Sequence, residues 1–292
     1  MFNWEDLHYF MVFAREKSLS GAARSLKVDH ATVARRIASL EMALALKLVD
    51  RRPRSYLLTV DGQRIAAQGD SMTLNAFAIS RSALNGQQGV AGEVTLSVPP
   101  VMGLKLIAPR IAQLQRRYPD LQLILLAETA NVSLLRGEAD IAIRLSRVSE
   151  SDLVTRKIGT VEFGLYANAN YLRVTPEAER GFIGYHDERA ASVQQKWLQE
   201  QAGERPLVMR SNDLMIQAAA AVAGAGIALL PHFIGQELGL EPLAAAQSLQ
   251  REIWLTVHDD IRHAPGIAAV TAFLLDCYAG VPGITRLVDN LS

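Results

Sequence analysis

Apolar side chains in the first sixty residues recur at three- and four-residue spacing, the period of a helix with one buried face. Leu7, Phe10, Met11 and Ala14 set that spacing and predict a first helix from Trp4 to about Lys17. Ser18 and Ser20 both suit the N-cap of a short second helix through Ala22, Ala23, Leu26 and Lys27, whose small residues let a neighbour come close. The chain turns at Val28. Asp29 then caps a third helix, on which Val33, Ile37, Leu40 and Leu44 fall in one narrow stripe at about 100° per residue. The opposite face carries Ala31, Thr32, Arg35, Ser39 and, toward its edge, Arg36, a small, polar and basic surface unlike the Glu/Lys mixture of a solvated helix. Asp50 to Thr59 reads as two short strands around a basic turn holding Arg51, Arg52 and Arg54, with Pro53 unable to join a ladder.

Further along, Ile65, Gly69, Met72, Ala76, Ile79 and Ala83 alternate four- and three-residue steps, a heptad seam that calls for a partner helix. Packing of this helix on its own chain is the alternative. Leu74, Phe77 and Leu84 add apolar surface on other faces, and Asn85-Gly86-Gln87-Gln88-Gly89 breaks the helix into a hinge. Beyond it strands and helices alternate. The strands are Val94–Val98, Leu121–Ala127, Asp140–Leu145, Phe163–Ala167, Phe182–Tyr185, Leu207–Arg210, Ile227–Leu230 and Ile253–Val257, and the helices are Leu104–Tyr118, Gln194–Gln201, Asn212–Ala223 and Gly266–Tyr278. Such alternation predicts open, mainly parallel sheets with helices on both faces, divided here into two α/β lobes.

Composition changes this picture in one respect. The 292 residues carry 30 Lys+Arg and 30 Asp+Glu, with 49% apolar side chains and a mean hydropathy of +0.10, which excludes intrinsic disorder and collagen. Net charge is zero, but residues 1–64 hold 11 basic and 7 acidic side chains, so the basic excess sits entirely in the first fifth. Cys277, the single cysteine, has no partner for a disulfide or a zinc cluster, and lies in an apolar helix as a core residue. Glu5 and Asp6 stand where an export signal needs a basic start, and the apolar run Ala218–Pro231 is too short and too broken by Gly and Pro to span a bilayer. A reducing, cytoplasmic setting without membrane contact is expected. The six histidines show no metal-ligand spacing, Gly224-Ala225-Gly226 lacks the rest of a dinucleotide fingerprint, and neither a nucleophile elbow nor a phosphate loop occurs, so no metal, no cofactor and no catalysis are expected.

Two helices joined by a tight turn, the second with a basic outward face, then a basic hairpin, make a winged helix-turn-helix, whose second helix enters the major groove of duplex DNA. Leu7-His8-Tyr9-Phe10, Ser18 to Leu26, Thr32 to Glu41 and Leu57-Leu58-Thr59-Val60-Asp61-Gly62 resemble the LysR-type transcriptional regulators, as do Leu96–Gly103, Arg116–Leu121, Arg136–Arg144 and Gly224–Pro231 farther on. The resemblance implies a winged helix-turn-helix over residues 1–62, a dimerising linker helix and hinge over 63–89, and over 90–292 a two-lobed effector-binding domain with the fold of periplasmic solute receptors. Lobe 1 is then about 90–160 with 264–292, lobe 2 about 161–263, and the crossings fall near Lys157–Phe163 and His258–Pro265. It also implies a homotetramer built as a dimer of dimers, with RNA polymerase as a further partner. A solute-binding protein or a transferase on the same two-lobed fold is the rival reading.

Arg36 is the foremost expected base reader, by bidentate contact with guanine. His30 and Thr32 are secondary, and Ser20, Ala31, Arg35, Arg51, Arg52 and Arg54 complete the expected DNA contacts. This chain has Asp29-His30-Ala31-Thr32 where relatives commonly open the recognition helix with Ser-Gln-Pro-Ala, so no detailed operator preference carries over. Effectors in open α/β sheets sit at the carboxyl ends of strands. Those ends nominate Pro99, Pro100, Val101 and Met102, then Thr129 and Asn131, then Arg144 and Ser146, and finally Asn212. Arg144 is the natural anchor for an anionic group; its bland alternative is a salt bridge between lobes. Pro99 stands where relatives often place a hydroxyl, which favours a more apolar effector, or none, although the backbone N–H groups of Val101 and Met102 with Arg144 could still hold a carboxylate.

Overall fold

In this computed structural model the described residues are 1–52, 55–85, 89–128, 134, 137–148, 150, 152–186, 192–243 and 248–287. The chain divides into two compact units, 1–81 and 82–292.

The first unit holds α1 (Trp4–Glu16), α2 (Leu19–Leu26), α3 (His30–Leu44), the antiparallel pair β1 (Val49–Arg52) and β2 (Ser55–Leu58), and most of the long helix α4 (Val60–Asn85). Side chains cap the first three helices: Asn3 Oδ1 accepts from Glu5 N–H, Ser18 Oγ from Gly21 N–H and Asp29 Oδ1 from Thr32 N–H. Ser18, not Ser20, therefore opens α2. Each of these helices also stops on a left-handed residue, Lys17, Lys27 or Ala45, whose backbone N–H closes the last turn. Val33, Ile37 and Leu40 bury against Phe10, Phe13, Ala22 and Leu48, as the apolar stripe predicts, and Leu44 is half-buried.

Hydrophobic periodicity gives no hint of Glu41, which is only 4% exposed. Its Oε1 accepts from the backbone N–H groups of Leu48 (2.9 Å) and Val49 (3.1 Å), while Oε2 faces Arg51 and Lys47, each at 3.5 Å. One carboxylate thus ties the end of α3 to the first strand of the wing. Thr59 fixes the other side, donating its hydroxyl to the Lys47 carbonyl and accepting from Gly62 N–H at the start of α4. The heptad seam on α4 divides in two. Ile65 and Ala66 pack on the head core, and a Cβ on Gly69 would lie 2.3 Å from the Met11 sulfur, so the first turns face their own chain. Ile79, farther along, is 74% exposed.

The second unit is built from β3 (Gly92–Val98), α5 (Pro100–Met102), α6 (Ile111–Arg117), β4 (Leu121–Ala127), β5 (Ile141–Arg144), β6 (Leu153–Ala167), α7 (Ala169–Val174), β7 (Phe182–Gly184), α8 (Val193–Ala202), β8 (Leu207–Arg210), α9 (Leu214–Val222), β9 (Ile227–Pro231), α10 (His232–Glu237), β10 (Glu241–Pro242), β11 (Leu249–His258), α11 (Pro265–Cys277) and β12 (Ile284–Arg286). Its strands run in the order β4-β3-β5-β11-β6-β9-β7-β8, with β10 and β12 also on β6. β3 is parallel to β4 and β5 in the first lobe, and β7 is parallel to β8 and β9 in the second. β6 and β11 run antiparallel between them, from Leu249 opposite Phe163 to His258 opposite Leu153, with a bulge between Ile253 and Trp254.

Two expectations shift. The second crossing lies on β11, earlier than His258–Pro265, where the chain instead forms a short 3-10 turn (Asp259–Ile261) and opens α11. Ile253, Leu255 and Val257 alternate as in any half-buried strand, and only their pairing with both β5 and β6 makes it a crossing. The helix expected over Leu104–Tyr118 is interrupted: a π turn (Gly103–Ile107) and a 3-10 turn (Ala108–Arg110) separate α5 from α6. Pro109 has no N–H to donate back along an α-helix, which breaks the run there. Cys277 is buried, and that burial pushes its thiol up to about 11.

Glu41→Ala is expected to destabilise the first unit by about 2–3 kcal/mol, because two buried N–H groups lose their acceptor. Urea unfolding of the full chain followed by circular dichroism checks this. Glu41→Gln, which keeps one acceptor oxygen, should lose less.

Candidate functional site

On α3 the structure exposes His30, Ala31 and Arg35 together. Thr32 is half-buried and spent on the cap, giving its N–H (2.6 Å) and its hydroxyl (3.1 Å) to the two oxygens of Asp29. Those bonds hold the Asp29 carboxyl below the usual carboxylate range, the backbone one first. Ser20 is exposed on α2, and Arg51 is 46% exposed beside Glu41. Arg52 lies on β1, its backbone opposite Ser55, and Arg54 falls outside the described residues.

Arg36 stands differently from the expectation. Its guanidinium lies 2.9 Å from Glu5 and 3.2 Å from Asp6, and 5.5 Å over the Tyr9 ring. Ser39, expected on the outward face, donates its hydroxyl to Asp6 at 2.7 Å. Asp6 is buried, so α3 turns its Arg36 and Ser39 edge onto an acidic site of α1 and leaves Arg35 as the outward cation. A cavity of about 280 Å³ between Asp6, Arg35, Arg36 and Ser39 marks that edge.

The second unit contains a cavity of about 950 Å³ between its lobes. Pro99, Pro100, Val101, Arg144, Ser146 and Asn212 all line it, although they come from three separate segments of the chain. Met102 does not. One turn of α5 rotates it inward to 1% exposure, with its sulfur 3.9 Å from the Tyr278 hydroxyl. Thr129 and Asn131 lie outside the described residues. Asn212 leaves the capping of α9 to Asp213, whose Oδ1 accepts from Ile216 N–H at 2.9 Å. Arg144 folds back on its own lobe: one guanidinium nitrogen donates to the carbonyls of Ile143 (2.7 Å) and Ser97 (3.1 Å), the other to the Ser97 hydroxyl (2.8 Å). Burial lowers its pKa, and the charge of Glu128 opposes that shift.

Sequence reasoning missed Phe163, Tyr185, Gln194, Met215 and Arg251, which also line the cavity. Arg251 comes from the crossing strand β11, and its strand partner Val161 lies on β6, so no loop signal points to it. Arg251 donates to the Leu145 carbonyl (2.6 Å) and to the Gln194 side-chain oxygen, joining the two lobes. Its pKa too is lowered by burial.

Residues 87–278 match the LysR substrate binding domain, and residues 4–63 match the bacterial regulatory helix-turn-helix protein of the lysR family. The chain belongs to the LysR family of transcriptional regulators. This LysR-type protein is 28% identical over 286 residues to the Mau operon transcriptional activator of Paracoccus denitrificans, covering 95% of this chain and 97% of that one. It is 35% identical over 141 residues to the AhcY transcriptional activator HvrB of Rhodobacter capsulatus, covering 47% of each. In fold it is similar to the full-length Vibrio cholerae virulence activator AphB (TM-score 0.60, 20% identity, 94% of this chain and 99% of that one). CrgA of Neisseria meningitidis is another such neighbour (TM-score 0.56, 22% identity, 94% and 99%). The regulator thus combines a DNA-binding helix-turn-helix with an effector-binding domain. Among the described residues no helix is long and apolar enough to cross a membrane, and no cluster of His, Cys, Asp or Glu is suited to a metal.

Met102→Ala is expected to cost about 2–5 kcal/mol of stability as a core truncation, whereas Val101→Ala at the cavity edge should cost clearly less. Chemical denaturation of the two variants distinguishes them.

Proposed function

We propose that this regulator reads duplex DNA with the exposed face of α3, Arg35 foremost, with His30, Ala31 and Thr32 beside it. Ser20 and the wing cations Arg51, Arg52 and Arg54 bind phosphates and set the register. Arg36 acts one step back, as a positioning residue that holds α3 against α1. The observation that carries this reading is the contrast between neighbours: Arg35 is exposed, while Arg36 is engaged by Asp6, Glu5 and Tyr9. The basic excess of residues 1–64 supports it.

A small-molecule effector occupies the cleft lined by Pro99, Pro100, Val101, Arg144, Ser146 and Asn212, and Thr129 and Asn131 add contacts to it. The far half of α4, where Ile79 is exposed, pairs two subunits, the pairs assemble as a dimer of dimers, and the assembly works in the cytoplasm, in contact with RNA polymerase. No reaction is catalysed. The division at about residues 62 and 89 assigns the reading head, the pairing helix and the sensor. An effector alters transcription by binding one geometry of the assembly better than another.

Fluorescence anisotropy with operator-length DNA tests the reading. Log affinity should fall linearly with log salt, by about 0.9 per phosphate neutralised. Arg35→Ala should remove about 1–3 kcal/mol of discrimination at one base position. Arg36→Ala should instead weaken the specific complex with the loss spread over all operator positions. A loss for Arg36→Ala confined to one base would return that residue to the role of reader.

A further inference from the structure

Arg251 carries a charge whose hydrogen bonds, among the described residues, end on neutral groups, with Tyr185 and Glu252 adding only longer-range electrostatic support. Among the described residues its hydrogen bonds go to the Leu145 carbonyl and the Gln194 side-chain oxygen, neither of which bears charge. The adjacent carboxylate, Glu252, is engaged elsewhere, by the Lys157 ammonium at 2.6 Å and the Trp254 indole N–H at 3.1 Å. Two further carboxylates line the cleft. Asp213 caps α9, and Glu128 acts on Arg144. A partly buried cation whose hydrogen bonds end on neutral acceptors is incompletely compensated, because those acceptors bring no opposite charge, whereas a carboxylate adds direct Coulombic attraction and a bidentate geometry.

Around this cation the cleft is built for a molecule with one acidic end. Ser192, Val193 and Gln194 bring the N-terminal turn of the ten-residue helix α8 to the cleft wall, where its N–H groups add positive potential. Pro99, Val101, Leu104, Phe163, Leu214 and Met215 supply the apolar remainder. The missing hydroxyl at Pro99 is no obstacle, since Arg251 provides polar recognition from the crossing strand rather than from the first loop.

From this geometry we infer that Arg251 is the specificity-determining residue of the cleft, and that the effector is a largely apolar acid whose carboxylate takes the place of Leu145 O and Gln194 Oε1 on the guanidinium. The inference rests on the proposed reading of the cleft as the effector site.

Titration calorimetry on the full-length protein tests it with matched acids and primary amides: benzoate and benzamide, 3-phenylpropanoate and 3-phenylpropanamide, hexanoate and hexanamide. Wild type should bind an acid at least about tenfold more tightly than its amide, the smallest effect expected of a charged hydrogen bond. Arg251→Gln should bring the acid down to the affinity of the amide while leaving amide binding intact, which also shows that the variant is folded. Arg251→Lys should keep a reduced preference for the acid. An undiminished preference in Arg251→Gln overturns the assignment of Arg251. Amides that bind wild type as well as acids do overturn the acid class but leave the cleft reading standing. If no acid binds, the acid class falls, and if the amides also fail, the cleft reading falls with it.

Discussion

The effector domain depends on one backbone ladder, the antiparallel pairing of β6 with β11 from Phe163 and Leu249 at one end to Leu153 and His258 at the other. These two strands belong to both lobes. β5 takes its place against β11 in the first lobe, β9 against β6 in the second, and β12 adds a third strand at the junction, opposite Gly159 to Val161. Gly159 is required there, since a Cβ would lie 2.6 Å from the Thr285 carbonyl oxygen. Strand ends of the two lobes therefore face each other across a space floored by this ladder, and the Arg251 side chain also bridges it through Leu145 and Gln194.

In the reading head, buried carboxylates take the organising part. Asp6 receives Arg36 and Ser39 from α3, and Glu41 receives two backbone N–H groups of the wing together with Arg51. Both acids are nearly inaccessible, which is tolerable only because each meets several donors. Helix α3 is held at its middle and its end by groups that point inward, so its outward residues are presented by a rigid support.

Local signals in the sequence carried much of this. The stripe Val33, Ile37, Leu40 and the caps Ser18 and Asp29 identify the head helices, and the alternating strands identify two α/β lobes, because propensity, period and capping are decided within a few residues. Six of the nine residues nominated at strand ends line a single cavity, for the same reason. What escaped notice is long-range. Arg36 looks outward on a helical wheel, yet Asp6, thirty positions earlier, decides where it goes. Arg251 sits in an alternating strand like any other, and only pairing with β6 places it between the lobes. Met102 follows three lining residues, but the turn at Pro100 carries it into the core.

Gly69 has a mechanical meaning. With no side chain there, α4 lies directly on the Met11 thioether of α1, leaving no slack between them. The opening turns of α4 and the three-helix head thus meet without an intervening side chain at this point, so a twist of this stretch of the rod is handed straight to α1, as a key turns with its shaft.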